Sequence, residues 1–236
     1  MNGLKNKLSY FNPFMLCAFS FLNAQDYKSI SLNFIPVFDN HKISLHKNVY
    51  GEKSADTLIF ETIKFYLSSF KLWDGNTLAW EESNSFHLLD LAKENTLSLS
   101  INIPQETNYK TLCFNLGIDS MTNISGVFGG DLDPTTGMYW TWQSGYINIK
   151  MEGKSQRCTT RNHEFQFHLG GYQSPFNACQ NICLDLQKND AHNILINFQN
   201  LFDKIDLAKL NQIMSPGKNA YTLSQYFSEI FSVIPK

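Results

Sequence analysis

No single sign of charge dominates this sequence, and no familiar catalytic motif occurs in it. The 19 lysines and arginines are matched by 21 aspartates and glutamates, a net charge of −2, so nucleic acid is not expected as a partner. Gly-x-Ser-x-Gly, a glycine-rich phosphate loop, His-Glu-x-x-His and Cys-x-x-Cys-His are all missing. Their absence argues against the hydrolase, nucleotide-binding, zinc-protease and covalent-haem classes, and we predict a protein without enzymatic activity.

Long hydrophobic runs are also missing. The apolar stretch 11–21 is too short to span a bilayer comfortably, but it follows two lysines and precedes the small residue Ala24. We therefore predict a signal peptide over residues 1–24, cleaved before a mature domain of residues 25–236 that has no transmembrane segment. A lipid anchor at Cys17 is the alternative, although bulky residues precede that cysteine. Either reading predicts a periplasmic, surface-held or secreted protein.

The mature chain keeps four cysteines. Exported proteins commonly form disulfides, and four cysteines allow three pairings, which the sequence leaves open. The alternatives are unbonded thiols, which a domain of this size tolerates, and a metal site at the Cys-x3-Cys spacing at the end of the set. The candidate disulfide residues are Cys113, Cys158, Cys179 and Cys183.

Short segments that alternate apolar and polar residues dominate the chain. One example is Ile30–Phe34, and another begins at Ile63, where the alternation changes parity at Ser68-Ser69 and predicts a bulge. Pro36 limits how far the first segment can pair centrally. Eight or more such segments predict an all-β fold, an antiparallel β-sandwich of immunoglobulin-like or jelly-roll-like type.

Helical spacing occurs only near the end of the sequence. The apolar residues of 223–231 repeat with a helical period, and Thr222 with Gln225 resembles a capping box. Residues 206–213 predict a second, shorter helix. No linker, repeat or low-complexity tract divides the mature chain, so we expect one domain.

Two histidines lie in the middle of predicted strands. His87 and His168 point away from their apolar neighbours, and a rigid strand is a suitable support for an imidazole that binds copper or zinc. His41 and His46 flank a short strand and are candidates for a third ligand. The simpler interpretation is that each histidine only hydrogen-bonds a neighbour at a sheet surface. The remaining histidines are read as solvent-facing: His163 and His192.

An unusual aromatic run lies between turn glycines. It contains Tyr139, Trp140, Trp142 and Tyr146 within eight residues. These side chains could be large core residues, an aromatic contact surface for a partner, or indoles that are oxidised or pass electrons beside a redox metal.

The same run carries a family resemblance. GGDLDPTTGMYWTWQSGYINIKMEG, followed by FQFHLGGY, resembles the MbnP-like domain of Bacteroidetes-type bacteria. IKFYLSSFKLW, FHLLDL, LCFNLGIDS and IMSPG support it, so the resemblance extends over most of the chain from residue 30 to residue 217. It implies an exported protein of copper handling that holds one copper ion through histidines, aided by a tryptophan oxidised to kynurenine. The partners it implies are a di-haem peroxidase-like cytochrome and an outer-membrane transporter.

Within the matching motifs, the resemblance assigns the metal to His87 and His168 and the oxidised residue to Trp140 or Trp142. A copper-binding relative has its modified tryptophan two residues before a ligand histidine, and no Trp-x-His occurs here. Protonation of the ligand imidazoles as the pH falls would release the metal. The alternative function is a metal-free sandwich that binds a ligand or partner through its aromatic residues. The two hypotheses differ in whether the two imidazoles converge on one ion.

Overall fold

Alternating apolar and polar residues build most of the chain into strands. The computed structural model describes residues 26–50, 57–186 and 191–234. The predicted signal segment 1–24 and the alternative anchor Cys17 lie outside these residues. The described residues form fifteen strands, in chain order β1 Tyr27–Phe38, β2 His41–Lys42, β3 Asn48–Tyr50, β4 Thr57–Asp74, β5 Thr77–Glu81, β6 Phe86–Asp90, β7 Ser98–Pro104, β8 Thr111–Leu116, β9 Tyr139–Trp140, β10 Gly145–Ser155, β11 Glu164–Gly170, β12 Gln180–Asp185, β13 Ala191–Asn197, β14 Gln212–Ile213 and β15 Phe231–Val233.

Short helices interrupt the strands. They are α1 Ser120–Ser125, α2 Phe198–Phe202 and α3 Lys218–Ser228, with single 3-10 turns at Glu94–Leu97, Gly130–Leu132 and Pro134–Thr136. Within the described part of the chain, none of these helices has the length and apolar content that crossing a membrane requires.

The strands form two sheets. The smaller sheet has the order β15-β13-β1-β2, and β7 pairs with β1 beside β2. The larger sheet has the order β12-β8-β4-β10-β11-β14, in which the long strand β4 also pairs with β3, β5 and β6, while β9 pairs with β10. The predicted β-sandwich is confirmed. Its predicted antiparallel character is incomplete, because β1 with β13 and β11 with β14 are parallel pairs.

Two apolar clusters fill the molecule. The main core draws buried side chains from both sheets and from α2 and α3. A second cluster covers the opposite face of the larger sheet, which we call the outer face. This outer cluster consists of Tyr66, Ile118, Leu132, Met138, Trp140, Tyr146 and Ile147.

Strand β4 supplies both clusters through its alternation. Ile63, Phe65 and Leu67 enter the main core and Tyr66 enters the outer cluster. The predicted bulge is confirmed: Ser69 has φ +56°, and the register with β8 shifts between residues 68 and 71. The bulge moves the later residues of β4 back to the inner side, so Phe70 and Leu72 also reach the main core.

Pro36 lies inside β1, which is an internal strand. The carbonyl of Pro36 accepts the Ile43 N–H, and its Cα partner on β13 is Ile196. On the other side of β1, β7 pairs only up to Asn33 and β2 pairs from Val37 onwards. The proline therefore occupies the gap between two successive neighbours, where the ladder does not need its missing N–H.

The helical predictions near the end of the chain need two corrections. Helix α3 begins at Lys218 with Gly217 as its N-cap, so Thr222 lies inside the helix and the capping box is wrong. The buried face of the helix already includes Ala220, which explains the earlier start because packing outweighs a side-chain cap. Residues 206–213 form turns followed by β14, which pairs with β11.

Candidate functional site

His168 lies on the outer face of β11. Phe165, Phe167 and Leu169 alternate with it and enter the main core, so the imidazole is directed to the other side of the sheet. It is only 8% exposed. Its Nε2 lies 2.7 Å from a carboxylate oxygen of Glu152 on the neighbouring strand β10. Sequence alternation therefore predicted the face of this histidine correctly, but it missed the carboxylate partner.

The Glu152 carboxylate determines which nitrogen of the His168 imidazole carries the proton. The hydrogen bond from His168 lowers the pKa of Glu152, against the opposing effect of burial, and Lys150 at 3.8 Å lowers it further. Because Nε2 faces a carboxylate, it carries the proton and donates. In the neutral ring, Nδ1 then holds the lone pair that a metal ion or a hydrogen-bond donor can use.

The two tryptophans of the aromatic run have different surroundings. Gly170 follows His168 by two residues on the same face, and a Cβ atom built there would lie 2.6 Å from Cζ3 of Trp140. Trp140 therefore packs directly over β11 and is 6% exposed, whereas Trp142 is 64% exposed. Their ring centroids lie 5.9 Å apart. Trp140 thus lies on the outer face with His168, and Trp142 lies next to Trp140 but is exposed to solvent.

His87 lies on the other side of the sheet. It is opposite Leu67 on β4, a main-core residue, and its ring contacts Phe70 edge-on at 5.3 Å. Its Nε2 lies 2.8 Å from Glu82, which also accepts a hydrogen bond from the Ser85 hydroxyl at 2.5 Å. Burial raises the pKa of Glu82, but these two hydrogen bonds outweigh it and hold the pKa below its ordinary value.

The structure does not bring His87 and His168 together. Across the larger sheet, His168 is opposite Lys150, which is in turn opposite Lys64, and Lys64 is three residues from Leu67 on β4. An odd spacing along a strand places side chains on opposite faces. One ion with bonds of about 2 Å cannot join the two rings in this arrangement.

His41 and His46 do not complete a site with either histidine. Both are exposed and lie at and after β2 of the smaller sheet. His41 donates from Nδ1 to the carbonyl of Asp39 at 2.8 Å, and the His46 N–H donates to the carbonyl of Phe60 at 2.7 Å. Among residues 26–50, 57–186 and 191–234, no group of three or more His, Cys, Asp and Glu is placed to hold a metal ion.

Two histidines were read as solvent-facing. This is confirmed for His163, which is exposed, and it is wrong for His192, which is 3% exposed and meets Tyr109 edge-on at 6.3 Å. His192 follows the first residue of β13, where the alternation of the strand turns its side chain inward.

One disulfide joins the last two strands at one edge of the larger sheet. It joins Cys113 on β8 to Cys183 on β12, two residues that are directly opposite in the ladder with Cα atoms 4.1 Å apart. In the described part of the chain, Cys158 and Cys179 are not disulfide-bonded. Burial raises the pKa of the Cys179 thiol to about 12. The Cys-x3-Cys spacing is therefore not a metal site in this structure, since Cys183 belongs to the disulfide.

The aromatic run forms a contact surface only in part. Trp140 and Tyr146 are buried in the outer cluster and Tyr139 is half-buried against it, so only Trp142 is freely exposed. Sequence reasoning missed the exposed apolar residues on and after α1, because six residues are too few for a helical period to stand out.

Comparison with known proteins agrees with the fold. A family model described as MbnP matches residues 27–215. The solved structure of MbnP from Methylosinus trichosporium aligns with a TM-score of 0.55 at 13% sequence identity, covering 78% of this chain and 80% of that one. No curated protein matches the sequence. At this identity the structural likeness establishes the fold, whereas the family match extends over most of the sequence. The chain belongs to the MbnP family.

Proposed function

We propose that this protein is an exported, non-enzymatic copper-handling protein in which His168 anchors a single copper ion. The MbnP family is associated with copper. The observation that carries the proposal is the His168–Glu152 pair. The imidazole is nearly buried on a rigid strand, its Nε2 is hydrogen-bonded to a carboxylate, and its Nδ1 can serve as a metal ligand. Metal-binding histidines are commonly oriented in this way.

His168 offers one suitable ligand for copper. Imidazole is a suitable ligand for copper, and Nδ1 of His168 is one such donor. Because the described residues contain no group of three or more candidate ligands, the proposal is limited to an ion anchored by His168 and does not include His87. When bound, copper would supply a redox-active cation next to the face that Trp140 covers.

The tryptophan proposal follows from exposure. The resemblance implies that a di-haem cytochrome partner oxidises Trp140 or Trp142, and we propose that it acts on Trp142. Trp142 is 64% exposed and Trp140 is 6% exposed, so only the former is open to a protein-sized reagent. Peptide mass spectrometry of chain produced with and without such a cytochrome tests this, and modification at Trp140 alone would contradict it.

The copper proposal is tested by single variants. The full chain, His168→Ala, His87→Ala and the exposed control His163→Ala are loaded with copper, dialysed and measured by elemental mass spectrometry. We expect about one copper per chain in the wild type, His87→Ala and His163→Ala, and loss of the metal in His168→Ala, since the histidines lie on separate faces.

Two outcomes contradict the proposal. A wild-type chain that keeps no copper after loading excludes a copper site. Equal loss in His168→Ala and His87→Ala indicates that both histidines contribute, and this requires an arrangement different from the one described.

A metal-free binding module is the second candidate. It is favoured by one observation: five large apolar side chains within residues 121–142, including Trp142, are exposed to solvent. Binding of a partner by the copper-free chain distinguishes this function from the first.

A further inference from the structure

Exposed apolar side chains are concentrated in one segment of the sequence. Among the described residues, ten large hydrophobic side chains are exposed, and five of them fall within residues 121–142. We call these five the apolar end. They are Met121 at 71% exposure, Ile124 at 67%, Val127 at 55%, Phe128 at 43% and Trp142 at 64%. Single exposed apolar residues are ordinary on protein surfaces, but a cluster of this kind marks an interaction site.

The apolar end is held in a fixed shape. Tyr146, which is 1% exposed, joins α1 and the backbone at Phe128 to strand β10. The Tyr146 N–H donates to the side chain of Asn123 in α1 at 2.9 Å, and its hydroxyl oxygen accepts the Phe128 N–H at 3.2 Å. The Asp119 carboxylate caps the start of α1 by accepting the Thr122 N–H at 2.9 Å. A surface whose backbone is already fixed loses little conformational entropy on binding.

Charge around the apolar end has one sign. Residues 111–149 contain three aspartates and no lysine, arginine or histidine. Each carboxylate accepts a backbone N–H, which fixes its position: from Thr122 to Asp119, from Leu88 to Asp131 and from Thr135 to Asp133. Lys64 on β4 reaches this segment, where it donates to the Thr136 carbonyl at 3.3 Å, and it is already paired with Asp90 at 3.2 Å. The charged side chains of the segment that carries the apolar end are therefore all acidic, and we call these three carboxylates its acidic rim.

We propose that the apolar end is the docking site of a partner protein whose contact face is apolar and bordered by lysine and arginine side chains. Such a face matches both the exposed apolar groups and the acidic rim. An anionic membrane surface is disfavoured because it attracts basic segments, and a second copy of this chain would bring carboxylates against carboxylates. This proposal uses none of the residues proposed to hold copper and does not depend on the copper proposal. It shares Trp142 with the proposed cytochrome contact, and it gives the second candidate function a binding surface and a class of partner.

The test uses two synthetic amphipathic helical peptides as probes. They share one leucine and phenylalanine face, but one peptide flanks it with lysines and the other with glutamates. Binding of fluorescently labelled peptide to the full chain is measured by anisotropy at low and high salt. We expect the lysine peptide to bind more tightly than the glutamate peptide, and its affinity to fall as salt is raised.

Variants locate the binding surface. Trp142→Ser and Ile124→Ser should each weaken the lysine peptide by about tenfold, because central apolar residues dominate binding energy. Both side chains are largely exposed, so neither variant should disturb folding. Tyr27→Ser is the matched control, since Tyr27 is 61% exposed but belongs to the other sheet. His168→Ala should bind the peptide normally even if it loses copper, which separates this proposal from the copper proposal.

Several outcomes overturn the proposal. The apolar end is not the docking site if neither peptide binds or if both bind equally. The same conclusion follows if Trp142→Ser and Ile124→Ser leave the affinity for the lysine peptide unchanged. Two parallel measurements examine other occupants: sedimentation with vesicles of phosphatidylcholine or phosphatidylserine, and light scattering over a range of protein concentrations. Vesicle binding or dimer formation that Trp142→Ser abolishes would replace the protein partner by a membrane or by a second copy.

Discussion

At Gly170 the backbone of β11 passes directly beneath the indole of Trp140. A Cβ atom there would lie 2.6 Å from the ring and 2.6 Å from the carbonyl oxygen of Tyr146. We expect Gly170→Ala to lower the free energy of unfolding by about 1–3 kcal/mol and to shift the Trp140 fluorescence, because the ring must move. Urea denaturation followed by tryptophan fluorescence measures the free energy of unfolding, and the emission spectrum without urea measures the shift. Gly129→Ala is the control, since nothing lies within 4 Å of its added methyl group; equal effects in the two variants would contradict the close packing.

The carboxylate of Glu82 makes a pH-dependent contribution to stability. Its pKa in the folded protein lies below the ordinary value, so the stabilisation is fully present above the unfolded pKa and disappears as the pH falls through the folded pKa. We expect Glu82→Gln to destabilise the protein by about 1 kcal/mol at neutral pH, with the difference from wild type narrowing in acid. Urea titrations at a series of pH values measure this. A difference that stays constant with pH would show that Glu82 acts only by packing.

Single residues of the candidate site were predictable only as far as strand alternation reaches. Alternation placed His168 opposite its apolar neighbours, but it could not reveal Glu152, which comes from another strand with a register that the sequence does not state. It also could not reveal that His87 and His168 face opposite sides of one sheet. Each histidine alternates correctly within its own strand, and only the pairing through Lys64 and Lys150 relates the two.

Among the secondary-structure elements, the edge strand β12 depends on a covalent link. The Cys113–Cys183 bond spans 70 residues of sequence and therefore restricts the unfolded chain strongly. We expect the Cys113→Ser/Cys183→Ser variant to lose about 4 kcal/mol of stability, by the loop-entropy relation. Urea denaturation with and without reductant measures the loss. Reductant should destabilise the wild type to a similar degree and leave the double variant unchanged; an effect on the double variant would show that reductant acts elsewhere.

Strands and helices were predictable where the sequence followed only strand alternation or only helical spacing. They were missed where one pattern ran into the other. The alternation of β13 runs on into Phe198, which concealed the start of α2, although Asn197 caps that helix by accepting the Gln199 N–H at 3.1 Å. Residues 206–213 have helical spacing, but the last of them pair with β11 instead. A partner strand that is distant in sequence decided the outcome there, and local propensity carries no information about it.

On the scale of the whole molecule, the main core and the outer cluster share strands. Phe65 and Tyr66 are neighbours on β4 but belong to different clusters, as do Ile147 and Ile149 on β10. Neither cluster can lose its packing without disturbing the strands that hold the other. We therefore expect one cooperative unfolding transition, in which tryptophan fluorescence and far-ultraviolet circular dichroism coincide in urea. Separate midpoints for the two probes would show that the clusters unfold independently.

The parallel pairing of β1 with β13 has a consequence for the order of synthesis. Residues 31–37 take their partners from residues 191–197, so β1 cannot complete its pairing until about 160 further residues have been synthesised. Until then one side of β1 has no native neighbour, and the smaller sheet cannot close around the core. The smaller sheet of a growing chain therefore stays incomplete until residues 191–197 have been synthesised. Such a delay would keep the chain open during the export that we propose for it.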